Sequence, residues 1–284
     1  MILLLSILLG VVVILLGVTL AETILWWYIW REEANRVKVT EAVWGNAIVF
    51  LTGISDYAAE SLDWEQMEFL REMENRRGTD IIVAEPFPYQ KSVPLQFAKF
   101  EIWRYWGFKQ PPLWWISLHN FWQTALAVGW EKAYGAGVAR CIINRIGVTR
   151  SRNSMLIIVC GSAGAMLALA ATPMLKEYLQ SRITIISYGG VFRSSPGFDF
   201  IDNFYHLLGE KDNWAKLGEK VFPGRFLSLG SYAKAKQENR FSLHYTGKHE
   251  HLGYLSDRTS PSHTKTYREL TLDTVTSLPF WQEK

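Results

Sequence analysis

Two cysteines, Cys141 and Cys160, are all that the 284 residues contain, and both lie in apolar surroundings. That excludes a disulfide framework and reads as small buried side chains in a reducing compartment. There is no long basic run, no RNA-binding signature, and a net charge of only +3, so nucleic acid is not an expected partner. "YGAGVAR" (134–140) lacks the full glycine pattern of a dinucleotide fingerprint and follows no strand; no cofactor is implied. His249 and His251 have a metal-ligand spacing but no third ligand at a convincing interval, so no metal is expected. Internal repeats and low-complexity tracts are missing as well.

Charge is nearly missing from the first thirty residues, where only Glu22 interrupts the apolar run. Ile2 to Leu20 would cross most of a hydrocarbon core as a helix. A cleaved signal peptide is the rival reading, but the basic n-region is absent, the apolar stretch is long, and "VTLA" is a poor cleavage site. Residues 1–30 are therefore expected to be a retained single-pass anchor, with the bilayer as partner. Trp26, Trp27, Tyr28 and Trp30 form an aromatic belt, and Arg31, Arg36 and Lys38 follow it. The positive-inside rule then puts the remainder of the chain on the cytoplasmic side. Residues 31–44 read as a juxtamembrane linker and 45–284 as one large domain.

Within that domain short β-favouring runs alternate with helix-like segments. Strands are expected at 47–51, 80–84, 155–160, 183–187, 203–208 and 241–246, and helices at 57–77, 118–146, 163–180, 212–221 and 265–276. This alternation predicts an α/β fold with a mainly parallel sheet covered by helices on both faces. Residues 155–175, "MLIIVCGSAGAMLALAATPML", are uncharged and long enough to be a second span. Their composition changes halfway, however, from β-branched residues to Ala, Leu and Met, with a glycine-serine cluster between. A buried strand, a tight turn and a buried helix account for all three parts.

That strand-turn-helix resembles the nucleophile elbow of the α/β-hydrolase superfamily, G-x-S-x-G, with Cys160-Gly161-Ser162-Ala163-Gly164 at the matching positions and cysteine replacing the first glycine. The alternative is a glycine-rich turn with a structural serine. The resemblance, spanning roughly residues 45 to 276, implies the chain order Ser, acid, His. After the strand "NFYHLL" comes Gly209-Glu210-Lys211-Asp212, similar to the superfamily's acid turn. Asp212 would orient the histidine, with Glu210 and Asp202 as fallback acids; a plain helix N-cap is the competing role for Asp212. Beyond the last strand, "EHLGYL" resembles the histidine stretch of some lipases, which makes His251 the expected base and His249 the alternate. The oxyanion donors would be the backbone N–H of Ala163 and the loop after the first strand, at Gly53 and Ile54.

An aromatic-rich insertion, 85–117, continues into the next helix; Trp103, Trp106, Trp114, Trp115 and Trp122 are among its rings. It reads either as a patch that touches headgroups or an acyl pocket, or as aromatic core under a long loop. Taken together, the expectation is a membrane-anchored serine hydrolase of the esterase, lipase or thioesterase type, acting on an ester or acyl substrate. A catalytically silent hydrolase-like scaffold at the membrane is the alternative.

Overall fold

Alternation along the apolar strands decides which side chains go to which face of the sheet. In the computed structural model, which describes residues 2–36, 38–53, 62–87, 113–222, 229–262 and 264–282, six strands form one sheet. They are β1 (Asn46–Leu51), β2 (Ile81–Phe87), β3 (Met155–Gly161), β4 (Arg182–Tyr188), β5 (Asn203–Leu208) and β6 (Phe241–Tyr245). Every pairing is parallel, in the order β2-β1-β3-β4-β5-β6. Ala47, Val49 and Leu51 of β1 face one apolar layer together with Leu156, Ile158 and Cys160 of β3. Ile48 and Phe50 face the other layer, with Ile157 and Val159.

Helices α3 (Leu113–Gly129), α4 (Glu131–Ile146) and α5 (Gly164–Tyr178) cover the first layer, with a 3-10 turn at Pro196–Phe200 and α7 (Ser231–Gln237). Helices α2 (Trp64–Arg77), α8 (Tyr267–Thr276) and α9 (Pro279–Gln282) cover the second. Helix α6 (Asn213–Val221) follows β5. The architecture is thus α/β, with a parallel sheet buried on both faces. Residues 155–175 are the centre of it: every residue of β3 is buried, and α5 is buried along most of its length.

Strand order reverses between β1 and β3. The chain leaves β1 for β2 on one side, then crosses to β3 and continues the other way. In open α/β sheets the crevice beyond the carboxyl ends of such strands is where ligands bind.

Several boundaries differ from the sequence-based expectation for local reasons. The segment 118–146 is two helices, broken at Trp130, whose φ of −122° and ψ of 46° leave the helical region. Gly129 ends the first of them. Helix α2 starts at Trp64 because Asp63 caps it, accepting from the Gln66 N–H while Gln66 Oε1 accepts from the Asp63 N–H; the expected start at 57 lies outside the described residues. Of the 85–117 insertion, β2 takes up the first part, α3 begins at Leu113, and residues 88–112 lie outside the described residues. The helices α7 and α9 have no counterpart in the expectation; at seven and four residues, they are too short to impose a helical period.

Helix α1 (Ile2–Arg36) contains the apolar stretch Leu5–Leu25, the one segment among the described residues long and apolar enough to cross a membrane. Only 11% of that window is buried, unlike a core helix. The helix does not stop near Trp30 but runs on through Arg36, so the first six residues of the expected linker are helical. Further along that linker, Thr40 and Ala42 are fastened down, since Ala42 N–H donates to Val148 O and Val148 N–H donates to Thr40 O.

Helices α4 and α5 cross so closely that a Cβ at Gly135 would stand 1.8 Å from the Ala170 carbonyl oxygen. Gly135→Ala should therefore force the helices apart and cost at least ~1–3 kcal/mol. At Gly129, a Cβ meets nothing within 4 Å, so Gly129→Ala should change little. Thermal unfolding of both variants in detergent checks the contrast.

Candidate active site

The turn between β3 and α5 puts a serine where the backbone is strained. Ser162 has φ 48°, the left-handed region, at a cost of order 1 kcal/mol for a residue with a Cβ. Its neighbours over-determine that conformation. Ser162 N–H donates to Tyr188 O, and the Ser162 carbonyl accepts from Val191 N–H at 3.0 Å. Gly161 and Gly164 make the turn sterically possible, because a Cβ at the first would meet the Tyr188 ring at 2.5 Å and at the second the Thr52 carbonyl oxygen at 2.7 Å. Cys160, where the superfamily pattern has glycine, points into the first apolar layer, fully buried, with Sγ 3.6 Å from Ile186 O. Burial pushes its thiol up to about 12, so it is a neutral packing residue.

Three elements bring polar side chains to this turn. The His251 ring, on the loop after β6, lies with Nε2 3.0 Å from Ser162 Oγ. Its Nδ1 lies 2.9 and 3.1 Å from the two Asp212 carboxylate oxygens. A carboxylate only accepts, so Nδ1 carries the proton and Nε2 presents a lone pair to the serine hydroxyl. Asp212 ends the turn after β5 and is fully buried. It is also the N-cap of α6, with Oδ1 accepting from Ala215 N–H at 2.9 Å. The two competing roles read from the sequence are thus held by one carboxylate, whose Oδ1 serves the cap and whose two oxygens both face the His251 ring.

A fourth residue, Tyr254, has no role in the sequence-based expectation. Its hydroxyl donates to Asp212 Oδ2 at 2.7 Å and accepts from Gly209 N–H at 2.8 Å. The sequence signal was its place in "EHLGYL", three residues past the histidine. Burial by itself would raise the Asp212 carboxyl; the hydrogen bonds from His251, Ala215 N–H and Tyr254 outweigh it and hold the group below the usual carboxylate range. Burial and the Asp212 charge raise the Tyr254 hydroxyl, which keeps it a donor. Gly189 leaves room for this cluster, since a Cβ there would fall 2.8 Å from Tyr254 and 2.9 Å from Asp212 Oδ2.

The other expected site residues stand as follows. His249 is buried beside the cluster but turned away from Ser162, with Nδ1 donating to Glu250 O at 3.0 Å and Nε2 2.8 Å from Thr246 Oγ1. Burial lowers its pKa, keeping it neutral. Asp202 belongs to the opposite edge of the sheet, where it accepts from Ile183 N–H and Lys176. Glu210 is exposed. Ala163 is the N-cap of α5, with its N–H at the positive end of that helix, and Gly53 lines the cleft beside Ser162. Ile54 lies outside the described residues. Among the described residues no group of three or more His, Cys, Asp or Glu is placed to hold a metal ion. The cleft holds about 390 Å³ and is walled by Gly53, Asp63, Gln66, Tyr188, Leu252 and Leu255.

No protein-family model matches the sequence, and no curated protein matches it. Among solved structures, a dienelactone hydrolase-like promiscuous phosphotriesterase from metagenomic libraries superposes at a TM-score of 0.36. Its identity is 12%, over 77% of this chain and 75% of that one. So slight a likeness carries no chemistry over to this chain.

Because Asp212 has a lowered pKa in the folded state, it adds stability above its ordinary value of 3.8. That contribution is lost as pH falls through the lowered folded value. The stability gap between the native chain and Asp212→Asn should therefore shrink on acidification below about pH 4. Tyr254→Phe removes one of the donors, so it should lose about 1–3 kcal/mol and shift the acid loss to higher pH. Melting in detergent across a pH series measures both.

Proposed function

We propose that this protein is a membrane-anchored serine hydrolase of the α/β type, acting on an ester or acyl substrate. The single observation that carries the reading is the unbroken chain Ser162 Oγ, His251 Nε2, His251 Nδ1, Asp212, with contacts of 3.0 and 2.9 Å, on a strained turn at the strand-order reversal.

In this mechanism Ser162 Oγ attacks the substrate carbonyl as His251 Nε2 takes its proton. Asp212 fixes the tautomer and stabilises the imidazolium that forms. Negative charge develops on the carbonyl oxygen, where the Ala163 N–H and the backbone at Gly53 and Ile54 are the donors we assign to it. Collapse of the tetrahedral intermediate breaks the ester bond; the alcohol leaves with the proton from His251, and Ser162 stays acylated. Water, deprotonated by the same imidazole, releases the acid. Helix α1, spanning the bilayer through Leu5–Leu25 with the domain on the cytoplasmic side, is the anchor in this reading.

Labelling with a fluorophosphonate probe tests the proposal. The native chain should react covalently at Ser162, and Ser162→Ala should not react. Asp212→Asn should react more slowly by roughly 10⁴-fold, since it holds the wrong tautomer. Absence of labelling in folded native protein would contradict the enzyme and leave a silent hydrolase-like scaffold.

A further inference from the structure

All six strands run the same way, so their C-terminal ends, and with them Ser162, lie along one edge of the sheet. Helix α4 runs counter to them, and its first turn is at that edge. There Glu131 pairs with Arg193 and Ser195, in the loop that follows β4. Trp27 of α1 stacks on Tyr134 of this first turn, with ring centroids 6.5 Å apart and an interplanar angle of 13°. The chain just after α1 is bonded to Val148, beyond the far end of α4. Helix α1 therefore climbs the side of the domain toward the Ser162 edge, and its apolar stretch Leu5–Leu25 continues past that edge.

Nor is α1 a loose tether. Its buried polar side chains are held by α3. Trp122 Nε1 donates to Thr19 Oγ1 at 3.1 Å, Trp115 Nε1 donates to Glu22 Oε2 at 3.1 Å, and Thr23 Oγ1 lies 3.2 Å from His119 Nδ1. Gln123 Nε2 lies 2.8 Å from His119 Nε2, and Tyr134 donates to Gln123, tying the seam back to α4. Polar groups within an apolar helix are costly unless paired, and here the pairs fix the helix to the domain. A bilayer that holds α1 must then lie against the edge where Ser162 opens.

Beside Ser162 on that edge sits α6. Asp212 caps it, and its Gly218 packs on Val191, whose N–H binds the Ser162 carbonyl. Ala215 and Gly218 turn inward, yet Trp214, Leu217 and Val221 are 64%, 45% and 59% exposed. At spacings of three and four residues they form one stripe. The exposed Lys216 and Lys220 stand on the adjoining arc, and Lys211 precedes the helix. Leu252, which lines the same cleft, is 76% exposed.

We propose that α6 is an interfacial helix, a second membrane contact that inserts Trp214, Leu217 and Val221 into the bilayer spanned by α1. Its lysines reach anionic headgroups, as in helices that lie in the interface plane. The cleft of Ser162 then opens directly onto the membrane surface, and the ester it takes is that of a lipid residing there. The last clause rests on the hydrolase reading; the docking of α6 does not.

The test places a nitrobenzoxadiazole fluorophore on Leu217→Cys in the full chain, one copy per nanodisc of phosphatidylcholine with phosphatidylglycerol. Cys141 and Cys160 are buried, and the unsubstituted chain gives the background labelling. Spin-labelled lipid should quench the 217 probe severalfold more than the same probe on Arg150→Cys, an exposed site at the opposite edge. Equal quenching at the two sites would overturn the proposal, as would protection of 217 only in discs holding two copies, which would make a second chain the occupant. A parallel variant, Leu217→Asp with Val221→Ser, should react with soluble fluorophosphonate at the native rate but hydrolyse a vesicle-resident ester at least tenfold more slowly. Equal loss in both assays would reduce α6 to a support for Asp212 and contradict the docking. Lipid quenching at 217 without any Ser162 labelling would support the docking and overturn only the hydrolase.

Discussion

One buried carboxylate organises the region on which everything else depends. Asp212 accepts from the His251 ring, from the Ala215 N–H and from the Tyr254 hydroxyl, with no exposed surface of its own. A charge so placed costs several kcal/mol unless paired and hydrogen-bonded. Ala215 belongs to α6, while His251 and Tyr254 belong to the loop after β6, so satisfying the carboxylate fixes the end of β5, the start of α6 and that loop relative to one another. Tyr254 extends the tie to the Gly209 N–H. The position of the His251 ring follows from these constraints, and with it the direction of Nε2 toward Ser162.

The second constraint is the strained turn at Ser162. A left-handed serine persists only because β4 and the loop after it grip its N–H and carbonyl, while Gly161 and Gly164 let the Tyr188 ring and the β1 backbone come close. Cysteine is tolerated at 160 because that side chain faces the α4 and α5 layer, whereas the position with no space is 161. Strain and burial are thereby concentrated at the strand-order reversal, where a parallel sheet offers its crevice.

The sheet was legible in the sequence because β1 to β4 carry β-branched residues and β5 and β6 are short aromatic and leucine-containing runs, and β3 with α5 because the composition changes at the glycine-serine cluster. Chain order pointed to Ser162, Asp212 and His251, which the structure gathers in one cluster. Tyr254 was not legible as a partner of Asp212, since a tyrosine among apolar residues looks like core, and only the folded loop turns its hydroxyl inward. The break at Trp130 was masked because Gly129 is a lone glycine between two longer helix-favouring stretches. The clamp on α1 was equally hidden: Thr19, Glu22 and Thr23 look like blemishes in an apolar span until α3 supplies Trp122, Trp115 and His119 at the matching height.

A nucleophilic Ser162 becomes covalently acylated during turnover. Brief reaction of the full chain with an activated p-nitrophenyl acyl ester, acid quench and peptide mass spectrometry would test it most directly. One acyl group is expected on the tryptic peptide 153–176, carried by Ser162 and formed in a burst that matches the p-nitrophenol released. An unmodified peptide, or an acyl group on another residue while Ser162 stays free, would contradict it.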